Sequence, residues 1–167
     1  MRILEIGCGE KRVFNNSICI DIRKTSEVDI IADAGKLPFH NESFEHIFSS
    51  HMIEHISHLE INDILKNWVR LLKIGGKLEL RCPDLRARSL FLFFSPSKKN
   101  VENIYGSQNY EGNYHKSGYT YGLLKNILIN IGLVRIRRVV DGHRFLNFVL
   151  KDLHVIGIKK NSSKILK

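Results

Sequence analysis

No stretch of this 167-residue chain stays apolar for the roughly 18 residues a membrane span requires, so none is expected. Cysteine is scarce: Cys8, Cys19 and Cys82 form no C-x-x-C pair. The odd count and the spacing favour reduced thiols in a cytoplasm over a disulfide framework. The first apolar run starts at Ile3, so no signal or transit peptide is expected. Internal repeats and low-complexity tracts are also missing, apart from a polar basic tail over 160–167. The remaining length suits one domain over 1–159, enough for a single core.

The most informative stretch is Leu4-Glu5-Ile6-Gly7-Cys8-Gly9. A short apolar run, the signature of a buried parallel strand, breaks at two glycines one residue apart. Glycine tolerates positive φ and lets backbone approach a ligand with no Cβ in the way. A second run, Ile18-Cys19-Ile20, ends in Asp21, where an open α/β sheet grips a ribose diol. A dinucleotide fingerprint would add a third glycine near position 12, but Arg12 stands there, which argues against a pyrophosphate on a helix N-terminus. Only residues 10–16 separate the two strands, too few for a full crossover helix, so the first helix is reduced to a turn.

Further strands are expected at Val28–Ile31, Phe44–Ser50, Lys77–Cys82, Val134–Val140 and His154–Lys159. A helix from Glu60 places Ile64, Leu65, Trp68, Leu71 and Leu72 on one apolar face, and Gly75-Gly76 is read as its stop. Thr120 caps a helix through Ile131, with Leu123, Leu124, Ile127 and Ile131 inward. The dense run Leu90-Phe91-Leu92-Phe93-Phe94 reads as a helix packed on the sheet, with a lid over the acceptor or a dimer surface as alternatives.

The glycine loop, Asp21, Asp33-Ala34, Leu37-Pro38-Phe39, Phe44-Glu45-His46-Ile47, His51-Met52-Ile53-Glu54-His55 and Leu71-Leu72-Lys73-Ile74-Gly75-Gly76 occur in that order. The chain thereby resembles the class I S-adenosylmethionine-dependent methyltransferases, specifically the small type 11-like family, over about residues 2–84 and more loosely over 115–159. The resemblance implies an α/β fold: a Rossmann-like sheet, parallel with one antiparallel strand, in a three-layer αβα arrangement with a shortened first helix. It also implies S-adenosyl-L-methionine as cofactor. Glu5, Gly7, Cys8 and Gly9 would cradle its methionine part, Asp21 and Ile22 its ribose, and Asp33 with Ala34 its adenine. Ser49 and Ser50 would complete the cofactor site.

Chemistry concentrates at the end of the fourth strand. His51-x-x-Glu54-His55 matches the H-x-x-E-H zinc-protease pattern, but that motif needs a long helix, and a strand precedes it here. The stretch also resembles the plant small-RNA 2′-O-methyltransferases, which place E-x-x-E-H here and bind a divalent metal with help from a later histidine, but His51 stands in place of the first glutamate. Bracing of the loop by Glu54 and His55 is the expectation, with no metal ligand assigned. His51 falls where the loop leaves the strand, placed to position an acceptor, take a proton or touch the methionine end. His115, in a polar aromatic loop, is the second catalytic candidate; Tyr119 and Asp84 follow behind it.

Net charge is +9, distributed unevenly. Residues 1–83 carry 11 Lys/Arg against 12 Asp/Glu, and residues 84–167 carry 15 against 5. The basic excess lies in the half expected to shape the acceptor site, which suits an anionic partner or a solvated face. The leading expectation is methyl transfer to a small molecule or glycan. RNA is the second acceptor class, a catalytically silent Rossmann-like binding module the third reading, and a nicotinamide dehydrogenase a distant fourth. A homodimer is compatible with the apolar run at Leu90–Phe94.

Overall fold

The computed structural model describes residues 1–140 and 152–161. The end of the basic tail, with Lys164 and Lys167, lies outside the described residues. Seven strands form one sheet in the order β3-β2-β1-β4-β5-β7-β6. They are β1 (Ile3–Ile6), β2 (Ser17–Asp21), β3 (Ile30–Ile31), β4 (Phe44–Ser50), β5 (Leu72–Cys82), β6 (Leu133–Arg138) and β7 (Leu153–Lys159). The pairs β1–β2, β1–β4, β2–β3 and β4–β5 are parallel, and β7 runs antiparallel to both β5 and β6. Every β1 residue is buried, as a central parallel strand requires. The chain passes from β1 to β2 without an intervening helix, so the short spacing does reduce the first helix to turns.

Helix α1 (Ile61–Leu71) drives Ile61, Leu65, Trp68, Val69 and Leu71 into the core beside Leu4, Ile20, Ile47, Leu78 and Leu80. The indole of Trp68 is fully buried, and its Nε1–H donates to the Ala34 carbonyl at 2.8 Å. A core residue thus fixes the loop after β3. Two helices, α2 (Leu85–Phe94) and α3 (Lys98–Tyr105), follow β5, and α4 (Tyr121–Asn130) precedes β6. Thr120 caps α4, its hydroxyl accepting from Leu123 N at 3.3 Å.

Several expectations need correction. Helix α1 stops at Leu72, whose extended backbone starts β5 directly, so Gly75-Gly76 lies within a strand. There the glycines serve a bulge: Phe44 pairs with Leu72 and His46 with Lys77, leaving the intervening β5 residues to loop out. Gly75 has φ +78°, and a Cβ on Gly76 would come 2.8 Å from the Lys73 carbonyl. Helix α2 buries none of its residues, and Phe93 and Phe94 are 78% and 74% exposed, so it is not packed as a core helix. Leu124, Ile127 and Ile131 face the core as expected and Leu128 joins them, but Leu123 points outward. Strand β3 is shorter than its apolar run because only Ile30 and Ile31 find partners on β2. Cys8 and Cys19 are joined by a disulfide instead of standing reduced, and Cys82 is free and buried. Parallel pairing of β1 with β2 sets the loop residue Cys8 next to Cys19, with Cα atoms 6.0 Å apart.

Candidate active site

A crevice of about 740 Å³ opens at the carboxyl ends of β1, β2, β3 and β4, where the strand order reverses direction from β1. Gly7, Asp21, Ile22, Ala32, Asp33 and Ala34 form one wall, and His51, Met52 and His55 another. The bend that begins it is fixed by backbone: Gly7 N donates to Ile20 O at 2.8 Å and Cys8 N to the same oxygen at 3.3 Å. Gly7 has φ +74°, and a Cβ there would meet Met52 Cγ at 2.5 Å, so the position needs glycine twice over.

Asp21 is buried at the end of β2. Its Oδ2 accepts from Gly9 N at 2.9 Å and its Oδ1 from Arg23 N at 2.8 Å, so this carboxylate also ties the glycine loop to its own strand. Each carboxylate oxygen keeps a further lone pair for the crevice. Asp33 accepts from Gly35 N at 2.7 Å, which shapes the turn carrying Ala34. Over the mouth, the Arg23 guanidinium sits 4.7 Å from the ring centre of Tyr110, joining the glycine-loop side to the loop after α3.

Not all expected cofactor residues reach the crevice. Glu5 is buried with its carboxylate turned beneath the loop, accepting from Val13 N, Phe14 N and Ser17 Oγ. It braces the turns that replace the first helix. Cys8 is engaged with Cys19, and Gly9 contributes its N–H to Asp21. Ser49 donates to Ile6 O at 2.9 Å and locks the ends of β1 and β4 together, while Ser50 is half-buried and outside the crevice wall.

The acceptor-side candidates divide in the same way. His51 has φ +51° and lines the crevice. Its Nε2 bonds Asp152 Oδ2 at 2.8 Å, and its Nδ1 lies 3.5 Å from Glu54 Oε1. Asp152 first, then Glu54, push its pKa up to about 10. A ring already protonated at neutral pH is a donor, which closes the proton-accepting role to it. His115 is the reverse. Its Nδ1–H donates to Ile104 O at 2.9 Å, and burial lowers its pKa, so it is neutral with the Nε2 lone pair available. It lines a second cavity of about 670 Å³ with Tyr105, Tyr110 and Tyr114. Tyr119 is buried, its hydroxyl donates to Ile53 O at 3.4 Å, and burial pushes its pKa up to about 12. Asp84 caps α2 through Arg86 N and pairs with Arg138 at 3.0 Å. Both are committed to structure.

The sequence reading missed Met52, Arg23, Tyr110 and Asp152. For Asp152 a signal existed: an antiparallel last strand begins at the ligand edge, so the residue before β7 lies near His51. Glu54, His55 and His115 also converge, with one ligand-capable atom from each within 4.8 Å of the others.

The sheet order, the single antiparallel strand and the crevice at the switch point define a class I methyltransferase fold. A family profile described as "Methyltransferase domain" matches residues 4–80. Solved structures with the same fold include an S-adenosylmethionine-dependent methyltransferase from Archaeoglobus fulgidus (15% identity, 95% of this chain and 86% of that one, TM-score 0.63). Another such methyltransferase, from Methanosarcina mazei, shares 18% identity over 95% of this chain and 92% of that one, with TM-score 0.61. A third is 1,6-didemethyltoxoflavin-N1-methyltransferase from Burkholderia thailandensis, solved with S-adenosylhomocysteine (12%, 96% and 71%, TM-score 0.64). At these identities what is shared is the fold. A search of curated proteins gives no match.

Proposed function

We propose that this chain is an S-adenosylmethionine-dependent methyltransferase whose acceptor is a small molecule or glycan. The observation that carries the reading is the Gly7 bend closed against Met52 with Asp21 one strand over, at the switch point of the sheet. The bend after β1 has two glycines and Arg12 where a third would stand, and turns instead of a helix follow it, which suits an adenosyl ligand without phosphate. Asp21 would accept from the ribose hydroxyls, and Asp33 with the Trp68-anchored Ala34 would flank the adenine.

The cofactor, when bound, supplies a methyl group already activated by its sulfonium. The chain's work is then alignment and exclusion of water, which account for most of the acceleration in such transfers. Met52 and the loop carrying Tyr110 close the crevice, and His115 faces the adjoining cavity, where an acceptor would lie. The bound ligand of the toxoflavin methyltransferase supports a small-molecule acceptor by analogy of fold alone.

Calorimetric titration with S-adenosylhomocysteine tests this reading: a one-to-one isotherm is expected, and a folded protein without one overturns it in favour of a silent module. RNA is the second acceptor class, favoured by the basic excess of residues 84–167. It requires binding that falls steeply with salt on a log–log plot.

A further inference from the structure

Helix α2 leaves its apolar residues on the side that faces solvent. Its exposed positions are Arg86, Ser89, Leu90, Phe93 and Phe94, which fall at i, i+3, i+4, i+7 and i+8 and so form one stripe. Past the arginine and the serine, that stripe is wholly apolar. The bend that follows, residues 95–99, is exposed throughout. Helix α3 packs back against α2 and extends the surface with Val101 and Tyr105, both exposed. Monomeric chains rarely leave a contiguous patch of this kind in water, and one that does marks a contact site.

The charges around the patch say which partner it meets. Arg86 stands at one end of the stripe, and Lys98 and Lys99 stand at the other. Residues 85–105 hold four cations, Arg86, Arg88, Lys98 and Lys99, against one acid, Glu102. Arg88 turns inward to Asp152 at 3.0 Å, and Glu102 lies 3.8 Å from Lys98. The Arg86 and Lys99 side chains have no acidic partner among the described residues. An apolar ridge with cations at both ends matches anionic lipid, whose headgroups take the cations while the acyl boundary takes the rings. A second copy of this chain is a poorer match. A two-fold contact through the ridge would bring the same cations together, with only Glu102 to offset them.

We propose that the α2–α3 corner docks this protein on the surface of an anionic lipid bilayer. Leu90, Phe93 and Phe94 enter the interface, and Arg86, Lys98 and Lys99 meet the phosphates. Ten residues of helix reach about 15 Å, roughly half the hydrocarbon thickness, so α2 lies in the interface and does not cross it. Tyr105 belongs both to this surface and to the second cavity, so docking turns that cavity toward the headgroups. An acceptor presented at the lipid surface would then meet His115 directly. That consequence rests on the methyltransferase reading above, whereas the docking does not.

The test is co-sedimentation of the full chain with phosphatidylcholine vesicles, with and without phosphatidylglycerol. Binding to the anionic vesicles is expected to be at least ~tenfold tighter than to the neutral ones and to weaken as salt rises. Phe93→Ser with Phe94→Ser should lose ~tenfold or more of that affinity, and Lys98→Gln with Lys99→Gln roughly as much. Lys66→Gln, which removes an exposed cation on α1, should match the wild type. Phe93→Trp reads the same contact as a gained signal: its exposed indole should shift to the blue on anionic vesicles and not on neutral ones. No binding by the wild type, equal affinity for neutral vesicles, or affinity unchanged in both double variants overturns the proposal. So does a lipid-free dimer that Phe93→Ser with Phe94→Ser breaks, since the ridge is then a contact between copies. Calorimetry with S-adenosylhomocysteine keeps the two readings apart. Its binding without vesicle binding sinks only the docking, and vesicle binding without it sinks only the methyltransferase.

Discussion

Three glutamates of this chain are buried, and they are treated in opposite ways on the two sides of the molecule. Glu5 and Glu79 belong to the scaffold. Glu5 collects three donors from the turns that stand in for the first helix. Glu79 on β5 is met by His154 at 2.7 Å, Lys77 at 2.7 Å and His46 at 3.1 Å. Glu54, buried in the turn Ile53–His55 after β4, has no hydrogen bond on either carboxylate oxygen among the described residues. The lesson is about preorganisation. Scaffold carboxylates collect short hydrogen bonds within the fold, whereas Glu54 is left with the His51 ring at 3.5 Å. Asp21 lies between these extremes, since it ties the glycine loop and still faces the crevice.

The largest effect is therefore expected at Asp21. Replacing it with alanine removes the proposed ribose partner and unhooks Gly9 and Arg23 from β2, each charge-assisted bond contributing roughly 1.5–3 kcal/mol. Affinity for S-adenosylhomocysteine should fall at least about tenfold by calorimetry, and an unchanged isotherm would break the assignment. Glu5→Ala should act on the other side of the comparison. Leaving the amides of Val13 and Phe14 without their acceptor should cost about 2 kcal/mol, or roughly 4–8 °C in Tm for a chain of this size. A thermal melt that does not move would mean the brace is dispensable and the turns hold themselves.

The sheet and crevice were legible because their signals are local. Two glycines at a strand end, an aspartate at the next and seven residues between strands state the geometry before any folding is considered. The direction of a buried side chain is less legible. Glu5 and Ser49 sit beside cofactor residues in sequence, yet pleat and twist turn them to brace neighbouring backbone. The Cys8–Cys19 pair escaped because its closeness comes from strand register. Gly75-Gly76 looked like a helix stop, since glycine punctuates helices and bulges alike. The convergence of His115 on Glu54 and His55 is a tertiary fact that no spacing rule announces.

His115→Ala sharpens the acceptor side. Its ring lines the second cavity and has no direct part in the glycine loop or the adenine wall. Methyl transfer to acceptors from a fractionated extract should drop about tenfold or more, roughly 1.4 kcal/mol in kcat/KM. Affinity for S-adenosylhomocysteine should stay within about threefold. Collapse of cofactor binding instead would show that the two cavities are one site and dissolve the comparison.

The smallest expected effect is a pH dependence at Glu79. Burial raises its pKa, but His154, His46 and Lys77 outweigh that and hold it well below the ordinary 4.5. A carboxyl group depressed on folding stabilises the native state above its ordinary pKa, and that contribution drains away as pH falls below about 4.5. Melts of the wild type and Glu79→Gln should therefore be furthest apart above pH 5 and converge toward pH 3. If the gap stays constant through the acid range, the three neighbours do not act through the ionised carboxylate. Glu79 would then be merely a packed side chain, and the contrast with Glu54 would rest on Glu5 alone.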